Sequence, residues 1–304
     1  MSEKYTEEMK NKFLAMAGMM GRINRTVPVS GERFSIPEEG REIPVVYYRT
    51  KTEHAPLILG FHGGGFLFGG NALNDAMWSA VSETLHVNIA SIGYRKSPDF
   101  QYRAALEDIL AALRYFRSGA SQLDFDPARI GAMGCSAGAN LAATFSIYAQ
   151  QLNEEPLWKQ IMLYPVVDMY TDPAEKEAGT LAQPLQYLFN DLHCTPEEAK
   201  LPVVSPLFAE IQELQGLPDA IICTAEMDSL KKETEIYAQM LSDAGVKVSL
   251  MDAEGMPHGF FEVGFGKVSD AEIEVLGPEI EACVKSGKAA LVSREILEKI
   301  ASLL

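Results

Sequence analysis

The chain has 304 residues, of which 47% are hydrophobic, and its formal net charge at pH 7 is −16. This length and composition are those of one large globular domain rather than of a disordered chain. The negative charge repels nucleic-acid phosphates and anionic membrane surfaces, so we exclude nucleic-acid binding as the function.

The N-terminal residues 1–25 mix acidic and basic side chains ahead of a short apolar patch that glycine interrupts. This pattern is typical of neither a signal peptide nor a membrane span, so a cytoplasmic protein is expected. The four cysteines, at positions 135, 194, 223 and 283, show no C-x-x-C spacing, and the histidines form no metal-binding pattern. We therefore expect neither a metal ion nor an organic cofactor, and we interpret the cysteines as small buried residues.

From about residue 43, strand-like and helix-like segments alternate, which predicts a single α/β domain over 1–304 with a mostly parallel, doubly wound sheet. Several of the strand segments are continuous apolar runs, as expected for strands buried on both faces. Segments with apolar residues at three- and four-residue spacing predict crossover helices at 72–86, 104–119, 137–152 and 231–245. The predicted strands are 42–49, 56–62, 87–94, 129–135, 160–166, 220–226 and 247–253.

Two segments, 1–32 and 168–210, do not fit this alternation, and long insertions at such places are often functional lids. They predict short helices that lie over one end of the sheet as a cap and contribute adaptable methionines to a pocket. Helices that merely cover the core remain an equal alternative. The apolar residues that suggest packing are Phe13, Met16, Met19, Met20, Leu185, Tyr187, Leu188 and Phe189.

Ser136 lies in the motif Gly134-Cys135-Ser136-Ala137-Gly138, a G-x-S-x-G match between a predicted strand and a predicted helix. That strand–turn–helix context is typical of a nucleophile elbow, in which the turn exposes the serine hydroxyl. We expect Ser136 to have a positive φ, and Gly134 and Gly138 to approach neighbouring backbone where a Cβ would collide.

A serine hydroxyl needs a base, and the base needs an acid that orients it. His258 follows the strand at 247–253 in a glycine-bounded loop, and it is the histidine with the placement that the base requires. Asp228 follows the strand at 220–226 and is the preferred acid, with Glu226 and Asp252 as rivals. An alternative role for Asp228 is to cap the helix that follows it.

The stretch "LILGFHGGGFLFGG" places residues 62–65, His-Gly-Gly-Gly, at the end of a buried strand upstream of the elbow. Loops at this location complete the oxyanion hole, because glycine lets backbone N–H groups approach the tetrahedral oxyanion. Phosphate binding is the competing use of consecutive glycines, but no G-K-[ST] follows and the chain is acidic.

Taken in order, HGGG, G-x-S-A-G, "EMDSLKKE" and "PHGF" resemble the hormone-sensitive-lipase-like family of α/β-hydrolase serine esterases, over about residues 43–265. The resemblance implies an α/β-hydrolase fold with a helical cap, built from 1–32 and 168–210. It implies Ser136 as nucleophile, His258 as base and Asp228 as acid. It further implies an oxyanion hole formed by the N–H groups of Gly64, Gly65 and Ala137.

The expected activity is that of a serine carboxylesterase that hydrolyses small esters with short to medium acyl chains and needs no cofactor. A deacetylase, lactonase or amidase with the same three residues stays open, because acyl specificity depends on the pocket. A non-catalytic small-molecule receptor is the alternative of a different class. The sequence leaves the oligomeric state open, a homodimer included.

Overall fold

A computed structural model of the chain describes residues 4–266 and 268–304. Its strands are β1 (Glu32–Glu38), β2 (Arg41–Tyr48), β3 (Leu57–Phe61), β4 (Asn88–Ile92), β5 (Ile130–Cys135), β6 (Lys159–Leu163), β7 (Asp219–Ala225) and β8 (Val248–Ala253). In the described residues these eight strands form one sheet in the order β1-β2-β4-β3-β5-β6-β7-β8. The pairs β1–β2 and β2–β4 are antiparallel and the other five pairs are parallel, which confirms the predicted mostly parallel sheet.

Among the strands, β1 is the one that the sequence pattern missed. It forms a hairpin with β2, in which Glu38 is opposite Arg41 and Ile36 is opposite Ile43. Ile36 is the one fully buried side chain of this edge strand, and its neighbour Pro37 lacks a backbone donor. Apolar residues alternate here only at Phe34 and Ile36 before Pro37 interrupts the pattern, which is too short an alternation to indicate a strand.

Helices cover both faces of the sheet, and the predicted crossover helices correspond to α2, α3, α4 and α7. Alternate residues of β3 show the two layers, because Leu57 and Leu59 pack on the side of α3, α4 and α7, whereas Ile58 packs on the side of α2 and α11. No helix within the described residues is long and apolar enough to cross a bilayer. The helices are α1 (Glu7–Thr26), α2 (Asp75–Leu85), α3 (Tyr102–Arg117), α4 (Ala137–Gln151), α5 (Gln183–His193), α6 (Ile211–Leu214), α7 (Lys231–Asp243), α8 (Phe260–Val263), α9 (Asp270–Leu276), α10 (Pro278–Lys285) and α11 (Lys288–Ala301).

The two segments outside the alternation contain α1 and α5, and these helices share a separate hydrophobic cluster. Phe13 of α1 and Phe189 of α5 both contact Phe68 edge-to-face, at ring-centroid distances of 5.7 Å and 5.9 Å. Phe68 lies just beyond the glycine-rich loop, so both helices pack over the carboxyl end of β3. Not every apolar residue of α1 packs there, since Met19 is 42% exposed.

Candidate active site

The turn between β5 and α4 places Ser136 in a strained conformation with φ 53° and ψ −118°. A Cβ on Gly134 would lie 2.2 Å from the backbone of Gly138, and a Cβ on Gly138 would lie 2.1 Å from the carbonyl oxygen of Phe61. Real Cβ atoms do not approach other atoms so closely, so neither position tolerates a side chain without a backbone shift. The expected positive φ and the expected close approaches are therefore confirmed.

The structure brings the three predicted side chains together in a buried row. The Oγ of Ser136 lies 2.8 Å from Nε2 of His258, and Nδ1 of His258 lies 2.5 Å from Oδ2 of Asp228. These side chains come from the ends of β5, β7 and β8 and are nearly inaccessible to solvent. The arrangement fits a hydroxyl that donates to Nε2 and a ring that donates from Nδ1 to the carboxylate.

The rival acids have other partners. Glu226 accepts a hydrogen bond from the N–H of Gly255, whereas Asp252 is bound by Lys231 and Thr224, both at 2.6 Å. Asp228 reaches His258 with one oxygen, and its other oxygen accepts the N–H of Leu230 at 3.1 Å. The carboxylate therefore orients the ring and also satisfies a donor at the start of α7.

Opposing effects act on the imidazole of His258. Burial lowers its pKa, but the negative charge of Asp228 and the hydrogen bond to it outweigh burial and leave the pKa raised. Glu262 adds a smaller effect in the same direction. A histidine with a raised pKa accepts a proton more readily, which suits a general base.

The inserted segment contacts the loops that carry the acid and the base. The backbone N–H of His258 donates to Oγ1 of Thr180 at 2.9 Å, and a Cβ on Gly179 would collide with the backbone at Ser229. The hydroxyl of Ser229 accepts a hydrogen bond from Nε2 of Gln186 on α5 at 3.2 Å. The insertion therefore contacts both the loop of Asp228 and the loop of His258.

The loop at 62–65 faces the serine, as expected of a loop that binds an oxyanion. Gly64 has φ 110° and Gly65 has φ 59°, conformations that favour glycine. Both glycines line one cavity with Ser136 and Ala137. In the part of the chain that the structure describes, the N–H groups of Gly64 and Gly65 donate to no protein acceptor, so both remain available to a bound oxyanion.

The cavity beside Ser136 is small, about 50 Å³, and mostly apolar. Its wall includes Phe189 of α5, and Val275 and Leu276 of α9. Sequence reasoning gave the C-terminal tail no role, so the contribution of α9 was missed. The methionines expected in the pocket were Met16, Met19 and Met20. Met20 lines an adjoining cavity next to Gly64, whereas Met16 and Met19 line neither cavity and Met19 is exposed.

Two further charged residues line the cavity and were also missed. Lys176 forms a buried ion pair with Glu233 at 2.6 Å, and Glu233 also accepts the N–H groups of Val167 and Asp168. Burial raises the pKa of Glu233 to about 7, although Lys176 opposes the shift. The other residue is Glu262, on α8, four positions after His258.

Across residues 4–266 and 268–304, no group of three or more His, Cys, Asp or Glu side chains is arranged to hold a metal ion.

Comparison with known proteins identifies the class of this arrangement. The family model described as the alpha/beta hydrolase fold matches residues 58–262, more than half of the chain. The chain belongs to this family, and the predicted α/β-hydrolase fold is confirmed.

Similar proteins narrow the class. The carboxylesterase NlhH of Mycobacterium tuberculosis is 31% identical over 252 residues, which cover 79% of this chain and 77% of that protein. An arylesterase of Saccharolobus solfataricus is 31% identical over 77% of this chain and 78% of its own length. The solved structure of a Pyrobaculum calidifontis esterase superposes with a TM-score of 0.74 at 27% identity, covering 95% of this chain and 96% of that one. The chain is a member of the hormone-sensitive-lipase-like esterases, which confirms the resemblance found in the sequence.

Proposed function

We propose that the protein hydrolyses small carboxylic esters through an acyl-enzyme formed on Ser136. Its family and its esterase relatives make it a carboxylic ester hydrolase. One observation carries the proposed mechanism: a continuous hydrogen-bonded row runs from Ser136 through His258 to Asp228 at the edge of an apolar cavity.

In this mechanism Oγ of Ser136 attacks the ester carbonyl while Nε2 of His258 takes the hydroxyl proton. Asp228 holds the ring in the required tautomer and stabilises the imidazolium. The N–H groups of Gly64, Gly65 and Ala137 bind the oxyanion, and loss of one such donor typically costs about 3–4 kcal/mol of transition-state stabilisation. His258 then protonates the leaving alcohol, and water hydrolyses the acyl-enzyme.

We further propose that the segments 1–32 and 168–210 form a cap that sets substrate size. Phe189 supports this role, because a Cβ built on Gly65 would lie only 2.4 Å from its ring. The ring therefore packs directly against the backbone of Gly65. The ring thus covers the oxyanion loop from the cap side. We propose a preference for short to medium acyl chains, and a covered cavity of about 50 Å³ supports the short end of that range.

The Ser136→Ala variant tests the mechanism. Hydrolysis of a short-chain nitrophenyl ester should fall by about three to six orders of magnitude, because the nucleophile is lost. The circular dichroism spectrum and the melting temperature should stay those of the wild type, since alanine fits the turn no worse than serine. Retention of most activity would remove Ser136 from the mechanism.

A chain-length series with acetylated sugars, a lactone and an anilide separates the esterase from its close alternatives. We expect kcat/KM to be largest for short and medium nitrophenyl esters. A much larger value for an acetylated sugar would favour a deacetylase, and stoichiometric binding without turnover would favour a receptor.

A further inference from the structure

Glu262 joins the histidine side of the active site to the oxyanion loop. Its Oε1 accepts a hydrogen bond from the N–H of Gly63 at 3.0 Å and another from Nδ2 of Asn74 at 2.8 Å. Glu262 lies four residues after His258, on α8, and lines the same cavity as Ser136. The carboxylate therefore contacts the residue immediately before Gly64, whose N–H is a proposed oxyanion donor.

The remaining hydrogen bonds of this loop are local. The hydroxyl of Tyr94 donates to the carbonyl of His62 at 2.7 Å, and the N–H groups of Leu67 and Phe68 donate to the carbonyl of Gly64. All of these partners belong to residues 62–94. Among the described residues, Glu262 is the side chain that ties 62–65 to the C-terminal part of the chain, where His258 lies.

The absence of a side chain at position 63 allows this contact. A Cβ there would lie 2.6 Å from Oε2 of Glu262 and 3.1 Å from the carbonyl oxygen of Cys135. Gly63 therefore permits the carboxylate of Glu262 to contact the backbone of the loop, while Gly64 and Gly65 line the cavity beside Ser136. The three consecutive glycines thus have two different roles.

We infer that Glu262 is a positioning residue, which fixes the N–H groups of Gly64 and Gly65 relative to Ser136 by holding the N–H of Gly63. The inference rests on the proposed esterase function. Donors that are held in place before reaction stabilise an oxyanion without reorganisation, so a displaced loop lowers the rate of acyl transfer more than substrate binding.

The role is one of reach rather than of charge. Burial raises the pKa of Glu262 to about 7, so near neutral pH both protonation states are present, and each retains an oxygen that can accept from Gly63. The titratable groups whose charges couple to it are His258 on its own loop, Glu272 on α9, Tyr94, Cys135 and Tyr164. A neutral side chain of equal length should therefore replace it well.

Two conservative variants separate reach from charge. Glu262→Gln keeps the length and an accepting oxygen but removes the charge, whereas Glu262→Asp keeps the charge but withdraws the carboxylate by one methylene. We expect Glu262→Asp to lower kcat about 10- to 100-fold, as a misplacement near 1 Å can do, with KM within about threefold. Glu262→Gln should keep kcat within about threefold of the wild type at pH 8.

Glu198→Ala is the matched control, because this partly buried glutamate also accepts a backbone N–H at 3.0 Å, from Thr195, and does not line the cavity. Its kcat should stay within about twofold of the wild type. Each variant is assayed with a nitrophenyl ester over pH 6–9, with its active sites counted by a stoichiometric phosphonate. Counting the sites separates a slower site from a smaller folded fraction.

The outcomes discriminate. A low kcat in Glu262→Asp together with a near wild-type kcat in Glu262→Gln supports the positioning role. A low kcat in Glu262→Gln with a near wild-type kcat in Glu262→Asp would assign the role to charge and overturn the inference. Two undamaged variants, or a kcat that falls only in proportion to counted sites, overturn it as well. If the wild type hydrolyses no ester, or if Ser136→Ala stays active, the proposed function fails first, and this inference fails with it.

Discussion

The serine elbow and the two segments that we propose as a cap, 1–32 and 168–210, are held in different ways. At the elbow, Gly134 and Gly138 contact backbone atoms, so the geometry tolerates no side chain. In the cap, α1 and α5 are held mainly by apolar side chains such as Phe13 and Phe189, which pack edge-to-face on Phe68. Backbone contacts fix residue identity, whereas apolar packing accepts many residues of similar size.

This difference determines which features of an enzyme of this fold can be recognised in its sequence. A turn with no room for a Cβ accepts only glycine, so it appears in the sequence as a short glycine motif. A wall built from apolar surfaces leaves only a spacing pattern, which does not say which side chain faces the substrate. The type of reaction is therefore easier to predict from the sequence than the substrate specificity.

Gly138→Ala should give the largest effect, because its Cβ would lie 2.1 Å from the carbonyl oxygen of Phe61. We expect a loss of more than about 4 kcal/mol in the free energy of unfolding, or failure to accumulate folded protein. The control is Gly21→Ala in α1, where no atom lies within 4 Å of the added Cβ. That variant should gain about 0.5–1 kcal/mol in urea denaturation. Equal effects at the two glycines would contradict the contrast between the regions.

Asp228→Asn should leave the fold intact but lower kcat by about four orders of magnitude, because the amide no longer holds the ring of His258 in the required tautomer. The pH profile should move too. Catalysis needs the neutral ring, so activity is lost as pH falls through the raised pKa of His258. Without the negative charge of Asp228, burial is the largest remaining effect on this pKa and lowers it, so the acid limb of kcat/KM should shift to lower pH. If the acid limb of kcat/KM does not move in Asp228→Asn, a group other than His258 is responsible for it.

Phe189→Ala should give the smallest effect on rate but change selectivity. Removing the ring opens the cavity beside Gly65, so the ratio of kcat/KM for an octanoyl ester over an acetyl ester should rise about tenfold, since each methylene is worth about 1–3 kcal/mol. Phe13→Ala is the matched control, since Phe13 packs on Phe68 in the same cluster without lining the cavity. It should destabilise the protein without altering the ratio. A shifted ratio in both variants would show that cap stability, and not the wall, controls selectivity.

Much of the fold could be predicted from the sequence, because strands buried on both faces are apolar runs and the crossover helices have a strong three- and four-residue period. Strand β1 could not, because its apolar alternation is limited to Phe34 and Ile36 before Pro37 interrupts it. Ser136, His258 and Asp228 could be predicted because each follows a predicted strand, and such strand ends meet at one edge of the sheet.

The missed residues share a different property. Glu262 gains its importance from Gly63, which is 199 residues away, and no local pattern marks that contact. Val275 and Leu276 lie in a short helix of the tail, whose position over the cavity depends on packing against α10. The sequence alone indicated the groups that we propose react, whereas the groups proposed to position them or to shape the wall needed three-dimensional contacts.

Covalent labelling with a phosphonate ester that carries a nitrophenol leaving group tests the central claim most directly. Intact-mass measurement of the wild type should show one added phosphonyl group per chain, and peptide mapping should locate it on Ser136, with no label on the Ser136→Ala variant. Labelling at another residue, or equal labelling of the variant, would contradict an acyl-enzyme on Ser136.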